Sequence, residues 1–184
     1  SRPRRTGSRP SHPSGNRARI PAAPHLRTRI AAPLGPHPLL VEALYARLTE
    51  AGWRTSDSAH RGSGIVLAAA GSRDPQSAVD TRRTAALLGE RLGGVPVVPA
   101  YASAAAPTVR DALRALAARG RHRTAVASYF TAPGRFASQC AAAAPWIASA
   151  PLGAHPALAR LVLHRYDQAL ATRSPAPRRQ LASA

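Results

Sequence analysis

From Gly64 to Leu170 the chain alternates short apolar runs with stretches of helical periodicity. Ile65 to Ala70 is continuously apolar, the pattern of a strand buried on both faces rather than of one with a wet side. The succession predicts a strand over 64–70, a helix over about 76–92, a strand over 95–101, a helix over 108–119, a strand over 123–130, a helix over about 134–144, a short strand over 146–149 and a helix over 156–171. The helix after position 108 is the best marked. Thr108 and Asp111 form a capping-box pair, Val109, Ala112, Leu113, Leu116 and Ala117 supply an apolar face, and Gly120 ends it. Strands alternating with helices give an α/β fold in which a four-stranded parallel sheet is flanked by helices on both faces.

An earlier helix repeats the last one. Pro33-Leu34-Gly35-Pro36-His37-Pro38 opens a helix with Leu40, Ala43, Leu44, Leu48 and Ala51 on one face, and 118 residues later Pro151-Leu152-Gly153-Ala154-His155-Pro156 opens another, with Leu158, Leu161, Val162 and Tyr166 in register. The chain therefore reads as a basic tail (1–30), the remnant of a first repeat (31–52), a linker (53–63), a complete second repeat (64–172) and a second tail (173–184).

The apolar run of the first strand of the complete repeat ends in Gly71-Ser72-Arg73-Asp74-Pro75, and open parallel sheets bind ligands at the carboxyl ends of their strands. Gly71 permits close approach of backbone, and Ser72 and Arg73 suit an anion at the start of the next helix. Arg135 stands in an equivalent place after the third strand, where its guanidinium can pair with a carboxylate. Asp74, before a proline and a helix, fits a cap, with a ligand or base role as the alternative.

Composition changes this picture in two places. The net charge of +18 is expected of a polyanion binder, yet all 26 basic residues are arginine and alanine abounds, so part of the charge reflects coding bias. Residues 1–30 concentrate it, with eight arginines, five prolines and no acid, and they read as a disordered tail able to make nonspecific polyanion contacts. No apolar run reaches the ~20 residues of a membrane span and no secretory signal is visible, so a cytoplasmic location without membrane association is expected. The single cysteine, Cys140, excludes an internal disulfide and a multi-cysteine metal site. The chain contains no methionine, not even at position 1, which reads as a fragment, a processed product or a mispredicted start.

Four segments in order, Gly71-Ser72-Arg73-Asp74-Pro75, Ala106-Pro107-Thr108-Val109, Tyr129-Phe130-Thr131-Ala132-Pro133-Gly134 and Pro151-Leu152-Gly153-Ala154-His155-Pro156, resemble the sirohydrochlorin cobaltochelatases and ferrochelatases, the class II chelatases of cobalamin and siroheme biosynthesis. The likeness is to the C-terminal repeat of a two-repeat member truncated at its N-terminus. It implies insertion of divalent cobalt or iron, as substrate, into a sirohydrochlorin-like tetrapyrrole, with no tightly bound cofactor, and places substrate contacts at Gly71, Ser72, Arg73 and Arg135. The family sets metal histidines before the glycine of its first motif and two residues after the glycine matching Gly134. Here those positions are Ala70 and Phe136, neither of which ligates a metal or accepts a proton. His155, like His37 in the repeated segment, fits a turn or helix start, or else a ligand, and is the candidate metal contact. The resemblance thus implies a chelatase homologue with impaired or absent activity. The alternatives are a non-catalytic tetrapyrrole- or metal-binding protein and an anion-binding α/β module with a basic tail.

Overall fold

A computed structural model describes residues 28–172 apart from residue 104; the two tails expected over 1–30 and 173–184 lie outside it except for residues 28–30. Four parallel strands, β1 (Ser63–Ala69), β2 (Val97–Tyr101), β3 (Arg123–Ser128) and β4 (Ile147–Ala148), stand in the order β2-β1-β3-β4. Six helices accompany them: α1 (Pro38–Glu50), α2 (Thr55–Ala59), α3 (Pro75–Arg91), α4 (Val109–Ala117), α5 (Arg135–Ala142) and α6 (Pro156–Ala171).

Every residue of the central strand β1 is buried, as its unbroken apolar run requires. Its side chains alternate between two cores. Ile65 and Leu67 join Leu88 of α3, Leu44 and Leu48 of α1 and Leu161 of α6 on one face, while Val66 and Ala68 meet Val109, Ala112 and Leu116 of α4 and Cys140 of α5 on the other. The expected four-stranded parallel sheet with helices on both faces is present. No element end differs from its expected position by more than two residues. β3 ends at Ser128 rather than 130; beyond it Tyr129 N still bonds to Ala68 of β1 and the Phe130 carbonyl accepts from Leu152 N.

The stretch 53–63, read as a linker, is packed. Trp53 is only 2 % exposed in the α1 face of the core, and α2 follows at once. Asp57, buried on that short helix, accepts the Arg54 backbone N–H at 2.8 Å through Oδ2 and the Arg123 guanidinium at 2.8 Å through Oδ1. The same guanidinium lies 3.9 Å over the ring of Trp146, whose centroid is 5.7 Å from that of Trp53. This cluster ties the segment to the amino end of β3, a contact that local composition does not announce. Asp57→Ala leaves the Arg54 N–H and a half-covered guanidinium without their acceptor, and a loss of about 1–3 kcal/mol in urea unfolding is expected.

The repeated Pro-x-Gly-x-His-Pro pieces have one local purpose. His37 Nδ1 accepts from Leu39 N at 3.1 Å and His155 Nδ1 accepts from Ala157 N at 3.1 Å, so each ring caps the helix that its proline begins. A cap of this kind needs a neutral ring. Burial, Arg165 and His164 hold the His37 imidazole below its usual 6.5, and its ring centroid lies 5.4 Å from that of His164. A base with a depressed folded value contributes stability that is complete above pH 6.5 and is lost as the pH falls through the folded value. Thermal melts of the parent chain and of His37→Asn, whose amide caps without titrating, should therefore diverge between pH 7 and 5, with the parent losing more.

Candidate functional site

The sheet order decides where a ligand can sit. β1 and β3 are neighbours, but the helix after β1, α3, packs on one face and the helix after β3, α5, on the other. The loops leaving the two strands therefore diverge, and such a switch point is where an open parallel sheet forms a ligand-binding crevice outside the carboxyl ends of its strands. Gly71, Ser72 and Arg73 lie on the β1 side of this crevice and Arg135 on the β3 side. The four residues singled out for substrate contact are thus brought to one end of adjacent strands. Arg73 and Arg135 are exposed, and Gly71 and Ser72 partly covered.

Gly71 locks the crevice to the loop after β2. Its φ is +92°, and a Cβ there would stand 1.8 Å from the carbonyl oxygen of Ser103. Ser103 in turn donates both its N–H, at 3.0 Å, and its hydroxyl, at 3.1 Å, to the carbonyl of Ala70. A sequence reading misses Ser103, since an Ala/Ser-rich loop with no periodicity gives no signal of what its backbone touches. Beyond Gly71 the motif serves the helix. The Ser72 hydroxyl accepts from Asp74 N at 3.1 Å, and Asp74 Oδ1 accepts from Gln76 N at 2.9 Å, so Asp74 is the N-cap of α3 rather than a free base. On α4 the Thr108 and Asp111 box forms as its spacing requires, with Asp111 N on Thr108 Oγ1 at 3.3 Å and Thr108 N on Asp111 Oδ2 at 3.2 Å. Hydrogen bonds from Thr108 and Arg114 hold the Asp111 carboxyl below its usual value.

Tyr129, the first residue after β3, sends its hydroxyl to within 3.5 Å of Thr84 Oγ1, and burial raises its pKa. A Cβ on Gly35 would lie 2.5 Å from that hydroxyl, so the segment before α1 presses on the start of the β3 loop. Cys140 is a buried thiol whose pKa burial raises, as suits a packing residue.

Ala70 is exposed at the end of β1, and Phe136, on the first turn of α5, is 40 % exposed. Both positions where the resemblance calls for imidazoles open to solvent at the site and hold hydrocarbon. His155, the candidate metal contact, has its Nδ1 engaged as the cap of α6, accepting from Ala157 N. Among the described residues no three His, Cys, Asp or Glu side chains come together in a way that could hold a metal ion. No helix among them is long and apolar enough to cross a membrane.

The model of the CbiX family matches residues 64–169, the span from β1 into α6. The chain belongs to the CbiX family. Two solved structures share its fold. SirB from Bacillus subtilis with Fe³⁺ is 23 % identical, with a TM-score of 0.64 over 78 % of this chain and 58 % of that one. The sirohydrochlorin chelatase SirB from Bacillus subtilis subspecies spizizenii in complex with cobalt is 19 % identical, with a TM-score of 0.54 over 77 % and 54 %. The CbiX chain thus spans little more than half the length of these structures, and at such identities the likeness is one of fold. No curated protein sequence matches it.

Proposed function

We propose that this CbiX chain is a sirohydrochlorin-type chelatase homologue, cytoplasmic, in which residues 31–52 are the remnant of a first repeat and residues 64–172 a full second one. Its crevice between the β1 and β3 loops takes an acidic tetrapyrrole, and in the family's reaction divalent cobalt or iron is the second substrate. The observation that supports this best is the Gly71 lock, where a backbone contact that tolerates no Cβ fixes the rim of a switch-point crevice flanked by Arg73 and Arg135. Guanidinium groups on either side suit the carboxylates around the rim of such a ring.

Insertion also requires that the metal be held and that the pyrrole nitrogens lose their protons. A methyl group at Ala70 and a phenyl ring at Phe136 do neither, and the Nδ1 of His155 is engaged as a helix cap. The chain therefore binds the tetrapyrrole and shapes one wall of the cleft, with impaired or absent metal insertion. The same two substitutions favour a second reading, tetrapyrrole binding without insertion as the whole function. Residues 1–30 add nonspecific polyanion contact through their eight arginines.

An absorbance titration of sirohydrochlorin with the full chain tests this. Binding should be saturable and weaken about tenfold in Arg73→Ala/Arg135→Ala, two exposed charge pairs being worth up to about 1 kcal/mol each. With Co²⁺ or Fe²⁺ added, the unmodified chain should not exceed the uncatalysed rate. Absence of binding would remove the proposal, and fast turnover would show that another group, such as His155 or Asp74, supplies the chemistry.

A further inference from the structure

The end of the sheet away from the crevice is formed by two loops of like charge. His60-Arg61-Gly62 leads into β1, and Arg119-Gly120-Arg121-His122 leads into β3 at Arg123. β1 and β3 pair from Ser63 and Arg123 onward, which sets the two loops side by side. Arg123 N donates to the Gly62 carbonyl at 3.0 Å, and the Arg121 guanidinium donates to the carbonyls of Arg61 and Ser63. Coding bias raises the arginine content everywhere, but it does not join two loops sixty residues apart with no acid in either. The ion pairs among the described residues engage Arg47, Arg91, Arg114 and Arg123, so Arg61, Arg119 and Arg121 have no carboxylate partner there. The carboxylates on the helices that feed these loops, Asp57 of α2 and Asp111 of α4, are already taken by Arg123 and Arg114.

A pocket of about 320 Å³ opens beside the second loop. Leu113 and Ala117 of α4 and Pro145 give it apolar walls, and Arg114, Arg121 and His122 give it hydrogen-bond donors. Next to Pro145 stands Trp146, 36 % exposed, with the Arg123 guanidinium 3.9 Å over its ring. Guanidinium forks fit phosphate oxygens, and an exposed ring with a stacked arginine offers planar surface on which a base can lie. A strand whose bases are not paired supplies both phosphates and free base faces. An anionic membrane supplies phosphates but no planar rings.

We propose that this amino end of the sheet binds single-stranded nucleic acid, with backbone phosphates on Arg61, Arg119 and Arg121 and a base in the pocket beside Trp146. The surface is separated from the crevice by the length of β1, seven residues or roughly 20 Å at ~3.3 Å per residue. It therefore does not depend on the chelatase reading, and it is distinct from the arginines of residues 1–30.

A fluorescence titration of the full chain with an oligothymidylate of about 12 nucleotides tests it. The chain has two tryptophans and Trp53 is only 2 % exposed, so quenching reports on Trp146. Saturable quenching is expected. In Arg61→Gln/Arg119→Gln the affinity at low salt should fall at least about fivefold, and the slope of log K against log salt should become shallower by about 1.4, the loss of two phosphate contacts. Arg82→Gln/Arg83→Gln removes the same charge from exposed positions on α3 and should stay within about twofold of the parent. Absence of quenching, or equal losses in the two variants, overturns the proposal and gives any binding to net charge and residues 1–30. Equal quenching by heparin, a polyanion without bases, would make the surface a general polyanion site and overturn it likewise. So would cosedimentation with phosphatidylserine vesicles that Arg61→Gln/Arg119→Gln abolishes while oligothymidylate binding is unchanged, which would make a membrane the partner.

Discussion

Placing imidazoles at both open positions, Ala70→His/Phe136→His, is expected to raise metal insertion into sirohydrochlorin from the uncatalysed rate by about 10²–10⁴-fold, the usual scale of general acid-base help. The geometry supports the attempt. Ala70 is exposed at the end of β1 and Phe136 is 40 % exposed on the first turn of α5, so neither imidazole would be forced into the core. The two positions follow adjacent strands and flank one crevice. An imidazole at either edge can take up a pyrrole proton or hold divalent cobalt or iron, both of which accept nitrogen ligands. A spectrophotometric insertion assay should show the double variant well above either single one, because one ring cannot hold the metal and accept the proton at once. A double variant that binds the tetrapyrrole and stays at the uncatalysed rate would mean that the crevice is not where insertion takes place.

The largest expected loss of stability belongs to Gly71→Ala. At φ +92° an L residue costs about 1–3 kcal/mol even in open space, and the space is not open: the new Cβ would lie 1.8 Å from a backbone oxygen. A flexible side chain could swing aside, but the carbonyl of Ser103 belongs to a residue held by two hydrogen bonds to Ala70. Relief therefore means separating the β1 and β2 loops. A total of about 3 kcal/mol or more corresponds to a fall of roughly 6–12 °C in Tm for a chain of this size. Gly93→Ala is the control. Its φ of +74° is similar, but nothing lies within 4 Å of its Cβ position, so it should lose only the conformational part. If the two variants melt alike, the contact with Ser103 contributes nothing and the crevice rim is not locked as described. Sirohydrochlorin binding should fall in Gly71→Ala and hold in Gly93→Ala, since only the first disturbs the site.

What the chain declares in its own order is whatever depends on near neighbours. The buried run of β1 and the caps at His37, Asp74, Thr108 and His155 are local, set by side-chain periodicity and by backbone groups two or three residues away. The missing imidazoles at 70 and 136 were equally plain, because they are identities at fixed places in motifs. Tertiary structure decided the rest. The order β2-β1-β3-β4, and with it the crevice between the β1 and β3 loops, depends on strand pairing that no single element encodes. Residues 53–63 looked like a linker because the partners of Trp53 and Asp57 lie on β3 and beside β4, far along the chain. The Ser103 carbonyl has no side-chain signature at all, since a backbone oxygen is the same in every residue. Val162 and Tyr166 stand on the apolar side of α6 by periodicity, yet are half exposed: periodicity gives the side of a helix that is apolar, whereas only the assembled fold shows whether anything lies against it.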